Sequence, residues 1–249
     1  MAYTTIDDPS EYFQSAIWTG NASSRTITFT GNADMQPDMV WSKKRADAAQ
    51  NHCVTDTQRG VGNIIFPDAA DQESATQLIT SMASDGFAIN NNALINENSK
   101  TYVAWAWKAN GGSSTGSASE SGDNPAYNHQ ANTTSGFSII TYTGTGANGV
   151  IPHGLGVAPK MVWSKGRNHG NNWRVGLAGT AIDFTDSIKL NSNETAQDNS
   201  TYWNDTAPTS TNISVGSNDN INNDGNTSVI YAWAEIQGFS KMGTYTGVG

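Results

Sequence analysis

A single cysteine, Cys53, stands in 249 residues, so no disulfide can form within the chain and no thiolate cluster can hold a metal. Charge is scarce too. Asp, Glu, Lys and Arg together make up 14%, against roughly 25% in an ordinary soluble domain. The few charges are unbalanced, 22 acidic to 13 basic, for a net charge of −9. Such a surface has no electrostatic hold on a phosphate backbone, so nucleic acid is not an expected partner, and anionic lipid repels it. No apolar run nears the ~20 residues of a membrane span, so membrane insertion is not expected. The start, Met1-Ala2-Tyr3-Thr4-Thr5-Ile6-Asp7-Asp8-Pro9, has neither a basic cluster nor an apolar block and does not read as a signal peptide.

Catalytic spacing is missing as well. The four histidines, His52, His129, His153 and His169, have no second ligand at metal spacing, and no Gly-x-Ser-x-Gly elbow presents a serine. His153 sits in the glycine turn His153-Gly154-Leu155-Gly156 and reads as a turn stabiliser. Cys53 follows His52, but neighbours on a strand point to opposite faces, so Cys53 reads as a small buried hydrophobe. Asp183 with Asp186, or Asp56 with Asp85, are carboxylate pairs that folding must bring within ~5 Å or ~6.5–9.5 Å for glycan hydrolysis, and spacing alone does not do so. Asn218-Asp219-Asn220-Ile221-Asn222-Asn223-Asp224-Gly225 has the oxygen density of a calcium loop, but Tyr231 falls where the bidentate Glu belongs, so an Asn/Gly turn is expected. The chain is read as a non-enzyme with no cofactor and no metal.

What is present is a duplication. Pro37-Asp38-Met39-Val40-Trp41-Ser42-Lys43-Lys44-Arg45 returns as Pro159-Lys160-Met161-Val162-Trp163-Ser164-Lys165-Gly166-Arg167, 122 positions later. Trp18-Thr19-Gly20 returns as Tyr142-Thr143-Gly144, and Ala104-Trp105-Ala106 as Ala232-Trp233-Ala234, an offset of 128 that places Glu235 over Trp107. The expected layout is an arm over residues 1–11, one unit over 12–109, a Gly/Ser-rich flexible linker over 110–125, and a second unit over 126–237. Residues 238–249 repeat the Gly-Phe-Ser and Thr-Tyr-Thr-Gly of the second unit's opening strand, either as the start of a third unit or as a strand lent to another subunit.

Short runs such as Arg25-Thr26-Ile27-Thr28-Phe29-Thr30 and Thr101-Tyr102-Val103-Ala104-Trp105-Ala106-Trp107 alternate as half-buried strands do. Gly and Asn punctuate them. The fold class expected is all-β, two β-sandwiches in tandem, with one short helix over residues 67–81. Trp18, Trp41, Trp105, Trp163 and Trp233 lie on strands and are expected in the core. Trp173 and Trp203 sit among Asn, Thr and Gly, so they are expected in exposed loops, with Asn172 beside them, as the candidate glycan-binding residues.

Gly136-Phe137-Ser138-Ile139-Ile140-Thr141-Tyr142-Thr143-Gly144, His153-Gly154-Leu155-Gly156-Val157-Ala158-Pro159-Lys160-Met161, Ser84-Asp85-Gly86-Phe87, Thr101-Tyr102-Val103-Ala104-Trp105-Ala106-Trp107-Lys108 and Thr55-Asp56-Thr57-Gln58-Arg59-Gly60-Val61-Gly62 together resemble the repeat of tail-fibre-like structural proteins of marine bacteriophages. The resemblance covers nearly the whole chain. It implies lectin-like jelly-roll sandwiches in a virion and carries no catalytic residues. The expected function is a tail-fibre or adhesin-like virion component, with capsid or tube decoration as the alternative. Expected partners are further copies of the chain, other virion proteins and a host-surface glycan.

Overall fold

The computed structural model describes residues 4–45, 47, 49–180 and 182–247. Residues 1–3 of the expected arm and 248–249 of the tail lie outside them. The arm is not loose where it is described: Ile6 is buried, and Asp8 caps a 3-10 turn, Pro9–Glu11, by accepting the Ser10 N–H.

The first half holds β1 (Phe13–Thr19), β2 (Arg25–Ile27), β3 (Met39–Lys44), β4 (Cys53–Asp56), β5 (Ile79–Ala83), β6 (Gly86–Ile89), α1 (Ala93–Asn96) and β7 (Thr101–Trp107). The second holds β8 (Gly116–Ala118), β9 (Ala126–Asn132), β10 (Phe137–Thr143), β11 (Gly149–Pro152), β12 (Met161–Gly166), β13 (Arg174–Leu177), β14 (Asp186–Ser187), β15 (Gln197–Asp198), α2 (Ser200–Trp203), β16 (Asn212–Val215), α3 (Asp219–Asn222) and β17 (Thr227–Trp233). The fold is all-β and sandwich-like. Its main sheets run β1-β7-β3-β4 in one half and β10-β17-β12-β13 in the other, with β9 and β8 added outside β10. The duplication is therefore visible in the strand order.

On the closing strand of each half the alanines face the inside of the sandwich and the tryptophans face out. On β7, Tyr102, Ala104 and Ala106 are buried against Phe29, Phe87 and Ile89 of the first half, while Trp107 on the other face joins a separate cluster with Trp41, Trp163 and Trp233. That third core lies between the two halves. Trp41 meets Trp163 edge-on with centroids 5.5 Å apart, and Trp107 meets Trp233 at 6.3 Å. Of the expected core tryptophans, Trp18 and Trp233 are buried, whereas Trp41, Trp105 and Trp163 are half-buried along this seam.

Register corrects the alignment of the closing strands. Phe13 pairs with Trp107 and Phe137 with Trp233, and Met39 and Met161 pair with the same two tryptophans. Trp233, not Glu235, is the counterpart of Trp107. A slip of two residues leaves every side chain on its own face, so Ala-Trp alternation cannot reveal it.

Residues 67–81 form no helix. Among the described residues the α-helices are the three single turns α1, α2 and α3, and the segment is pulled straight instead: Ser74 bridges Ile64, and the Glu73 N–H reaches the Arg167 carbonyl across the seam at 2.7 Å. Tertiary contacts outweigh the modest propensity of Ala, Gln and Glu. Nor is 110–125 a featureless tether. Both oxygens of buried Asp38 accept backbone N–H groups from Ala109, Gly111 and Gly112 at 2.7–2.9 Å, and β8 then pairs with β9.

The oxygen-rich Asn218–Gly225 stretch is α3 and its flanks, the counterpart of α1. Asn92 and Asn218 cap these turns. Asn96 and Asn222 accept the N–H of Asn21 and Thr145. The opening strand of each half is glued to its helical turn, Trp18 Nε1 donating to the Ile95 carbonyl and the Tyr142 hydroxyl to that of Ile221. Contact is so close that a Cβ on Gly20 or Gly144 would collide with the carbonyl oxygen of Glu97 or Asn223. Gly20→Ala and Gly144→Ala are each expected to cost about 1–3 kcal/mol in urea unfolding, whereas Gly62→Ala, where a Cβ meets open space, is expected to cost almost nothing. Equal effects at all three positions would contradict the packing described.

Candidate functional site

The residues with the most perturbed chemistry sit on the seam. β4 ends at Asp56, and the turn that follows brings the Arg59 guanidinium back over it: the Arg59 N–H donates to Asp56 Oδ1 at 2.7 Å and Nε to Oδ2 at 2.5 Å. Arg59 Nη1 meets Glu73 Oε2 at 2.7 Å, and Nη2 donates to the Val54 carbonyl at 3.0 Å. From the second half, Arg167 Nε and Nη2 grip both oxygens of Glu73 at 3.0 and 2.8 Å, and the Tyr231 hydroxyl donates to Asp56 Oδ2 at 2.5 Å. Arg59 and Asp56 have fully buried side chains. Burial disfavours the Glu73 carboxylate, but hydrogen bonds and attraction from Arg167 and Arg59 outweigh it and hold its pKa below the usual range. Burial, reinforced by Asp56, raises the Tyr231 hydroxyl well above its ordinary value. Every acceptor is matched by a donor, so the cluster is a clasp between halves rather than a reactive centre.

The paired lysines of the duplicated string are loop anchors. Lys43 Nζ donates to the carbonyls of Lys44, Asp47 and Gln50 at 2.7–3.0 Å. Lys165 Nζ donates to the Gly166 carbonyl and Asn171 Oδ1 at 3.1 and 2.9 Å; burial lowers its pKa to about 8.

The residues expected to bind glycan lie elsewhere than expected. Trp173 is completely buried in the seam, stacked on Tyr231 with centroids 6.3 Å apart, its Nε1 donating to the Phe66 carbonyl of the first half at 2.8 Å. Trp203 is completely buried in the second sandwich, edge-on to Phe184 at 5.4 Å. Asn172 Oδ1 accepts from Asn191 at 2.9 Å and its N–H donates to Asn220. The polar neighbours that suggested open loops spend their amides on backbone groups, which lets the rings sink. Neither ring can stack on a sugar.

One surface open to a ligand is a shallow groove of about 640 Å³ on the outer part of the second half's main sheet. Ser117, Asn128, Thr141, Thr143, Arg167 and Thr227 contribute to its lining. The first half touches its edge through Gln58, whose amide donates to the Asn128 carbonyl and to Thr141 Oγ1 at 3.2 and 3.3 Å. Hydroxyls and amides on a strand floor, with one guanidinium already committed to Glu73, suit a neutral polar ligand; the groove has no nucleophile and base in contact. It was missed in the sequence because Thr141 and Thr143 share a strand face with Phe137 and Ile139, and only the packing of Gln58 and β8 beside them makes a groove.

A family model described as a domain of unknown function, DUF7483, matches residues 8–249. The chain belongs to DUF7483. The match spans both sandwiches and the clasp between them, so the unit of DUF7483 is the pair rather than the single repeat. No curated protein and no solved structure matches this DUF7483 chain.

The other sequence candidates serve the DUF7483 fold. His153 is buried; its Nδ1 accepts the Leu155 N–H at 3.1 Å, which leaves Nε2 to donate to the Thr209 carbonyl at 3.1 Å, and burial lowers its pKa. His52 Nδ1 accepts from Trp41 Nε1 at 2.8 Å. His129 lies stacked on Tyr127, and half-buried His169 reaches the Asp219 carbonyl. Cys53 is buried, and burial pushes its thiol up to about 12, far from a reactive thiolate. Asp56 is locked in the clasp while Asp85 accepts the Met35 N–H on the opposite sheet; Asp183 closes a local turn by accepting from Thr185.

Proposed function

We propose that this DUF7483 protein is a bacteriophage virion structural protein, tail-fibre or adhesin-like, that meets the host surface without doing chemistry there. The observation that carries this reading is where the motif residues lie. Met161, Asp56, Arg59 and Trp107, which lie in the stretches that carry the resemblance to phage structural repeats, face the seam and join two sandwiches into one body. A chain whose aromatic and ionic residues serve cohesion suits a load-bearing part. The polar groove beside Gln58 supplies a surface on which a host glycan would rest.

Labelled protein is expected to bind cells of the host bacterium or purified envelope glycan. Ser117→Trp, a bulky group set into the groove from exposed β8, is expected to abolish that binding without lowering the melting temperature. Protein that coats empty capsids and ignores cells would reject the adhesin reading in favour of decoration, an alternative that the open strand edge described next also favours.

A further inference from the structure

The main sheets of the two halves differ at one edge: the edge that β10 shares with β9 has no counterpart cover on β1. Lys108 N–H donates to the Tyr12 carbonyl and Gly20 N–H to that of Lys100, so in β1 the even-numbered residues hydrogen-bond to β7 and the backbone of Phe13, Ser15, Ile17 and Thr19 points outward. In the second half the Ala234 N–H donates to the Gly136 carbonyl, which sets the same parity. There the outward residues Phe137, Ile139, Thr141 and Thr143 pair with Asn132, Gln130, Asn128 and Ala126 of β9. On β1, no described strand pairs with that edge, and among the described residues only the Thr19 carbonyl finds a partner on it, the Arg25 guanidinium.

Beyond Arg25 at its Thr19 end, no side chain of the strand itself blunts this edge. Phe13-Gln14-Ser15-Ala16-Ile17-Trp18-Thr19 contains no charge and no proline, the usual defences against pairing. A groove of about 340 Å³, partly lined by Phe13 and Ser15, lies beside it. Ile17 is 67% exposed; the one large hydrophobic residue more exposed among those described is Tyr245, at 93%. Tyr245 belongs to the tail segment that respells the β10 strand, Thr244-Tyr245-Thr246-Gly247 over Thr141-Tyr142-Thr143-Gly144, yet residues 241–247 are in no ladder. Tyr142, its counterpart, is 3% exposed. The molecule displays a strand without a sheet and a sheet edge without a strand.

We propose that β1 receives the tail of a second copy of this chain, so that copies link head to tail by strand addition, with Tyr245 of the donor lying against Ile17 of the acceptor. A tail folding onto its own β1 is disfavoured by its root. Phe239 stacks edge-on to Tyr12 at 6.3 Å, and Met242 joins the seam while its N–H donates to Glu235. From Tyr12 the tail would have to run parallel to its own β1, whereas a second copy can add it antiparallel, as β9 lies on β10. A heterologous contact of this kind builds rings where the rotation between copies closes and open chains where it does not. This inference rests on strand geometry and holds whether or not the virion reading does.

Sedimentation velocity tests it. The intact chain is expected to form a concentration-dependent series of species heavier than the monomer. Ser15→Pro removes an N–H that points away from β7, so the sandwich keeps its ladder while the edge closes; this variant is expected to stay monomeric, as is a chain ending at Gly243, which retains Phe239 and Met242. Mixed together, the two are expected to give one discrete 1:1 complex, because one supplies the tail and the other the edge. If Ser15→Pro fails to fold, Ile17→Lys takes its place. A monomeric intact chain at the highest attainable concentration overturns the proposal. So does association that survives loss of residues 244–249, which would mean that the edge pairs with something else.

Discussion

Replacing Arg59 with Ala is expected to lower stability by about 3–5 kcal/mol, the cost of leaving a buried charge without its partner. For a chain of this length that is on the order of 10 °C in calorimetric melting temperature. The magnitude follows from what Arg59 holds: buried Asp56, which it shares with the Tyr231 hydroxyl, one oxygen of Glu73, which it shares with Arg167, and the Val54 carbonyl, which also accepts from the Ile65 N–H. Arg59→Lys is expected to recover little, since an ammonium cannot present donors to Asp56, Glu73 and the Val54 carbonyl in a planar fork. The clasp also fixes the sign of an acid dependence. The Glu73 pKa is depressed in the folded protein, so its contribution is fully present above the ordinary glutamate pKa and is lost as pH falls through the depressed value. Stability of the intact protein is therefore expected to drop more steeply below about pH 4.5 than that of Glu73→Gln. A loss below about 1 kcal/mol for Arg59→Ala, within the range of an exposed ion pair, would show that the clasp does not hold the halves together.

How far the sequence discloses this arrangement depends on the kind of signal. Alternation placed β7 to the residue, because a half-buried strand writes its two faces directly into the chain, but it overran β2, which ends at Ile27 rather than Thr30. The same alternation hid the two-residue slip between Trp107 and Trp233, since period two is blind to even shifts. It also could not say which face of β7 looks into the sandwich. Alanine against tryptophan suggests the bulky side as core, yet the space inside each sandwich is filled by the opposing sheet, by Phe29 and Phe87 in the first half, and the tryptophans are left for the other half. The clasp was legible only as the string Thr55-Asp56-Thr57-Gln58-Arg59. Nothing in that string names Glu73 or Arg167, because partners separated by 14 and 94 residues meet only after both sandwiches fold. Asparagine misled in the same way: it signals a turn, and here Asn171, Asn191 and Asn199 do make turns, but turns whose amides are satisfied inside the protein.

Trp173→Ala is expected to cost about 3–5 kcal/mol and, unlike a substitution inside either sandwich, to weaken the coupling between them. The side chain is completely buried, it stacks on Tyr231, and its Nε1 donates across the seam to Phe66. Truncation removes an aromatic ring from the shared core and leaves the Phe66 carbonyl without that donor, while each sandwich keeps its own apolar cluster intact. One cooperative transition is expected for the intact chain in calorimetry, because the seam buries side chains from both halves; in Trp173→Ala the first and second halves are expected to separate into two transitions. Trp203→Ala is the control. It empties the second sandwich alone, so it is expected to lower stability by a similar amount while shifting chiefly the second half, with the first half melting where it did before. Trp173→Phe keeps most of the packing and loses the hydrogen bond, for an expected cost nearer 1–2 kcal/mol. A Trp173→Ala protein that still melts in one step at nearly the original temperature would mean that the tryptophan seam is contact without cohesion, and the reading of two sandwiches built to act as one body would fall with it.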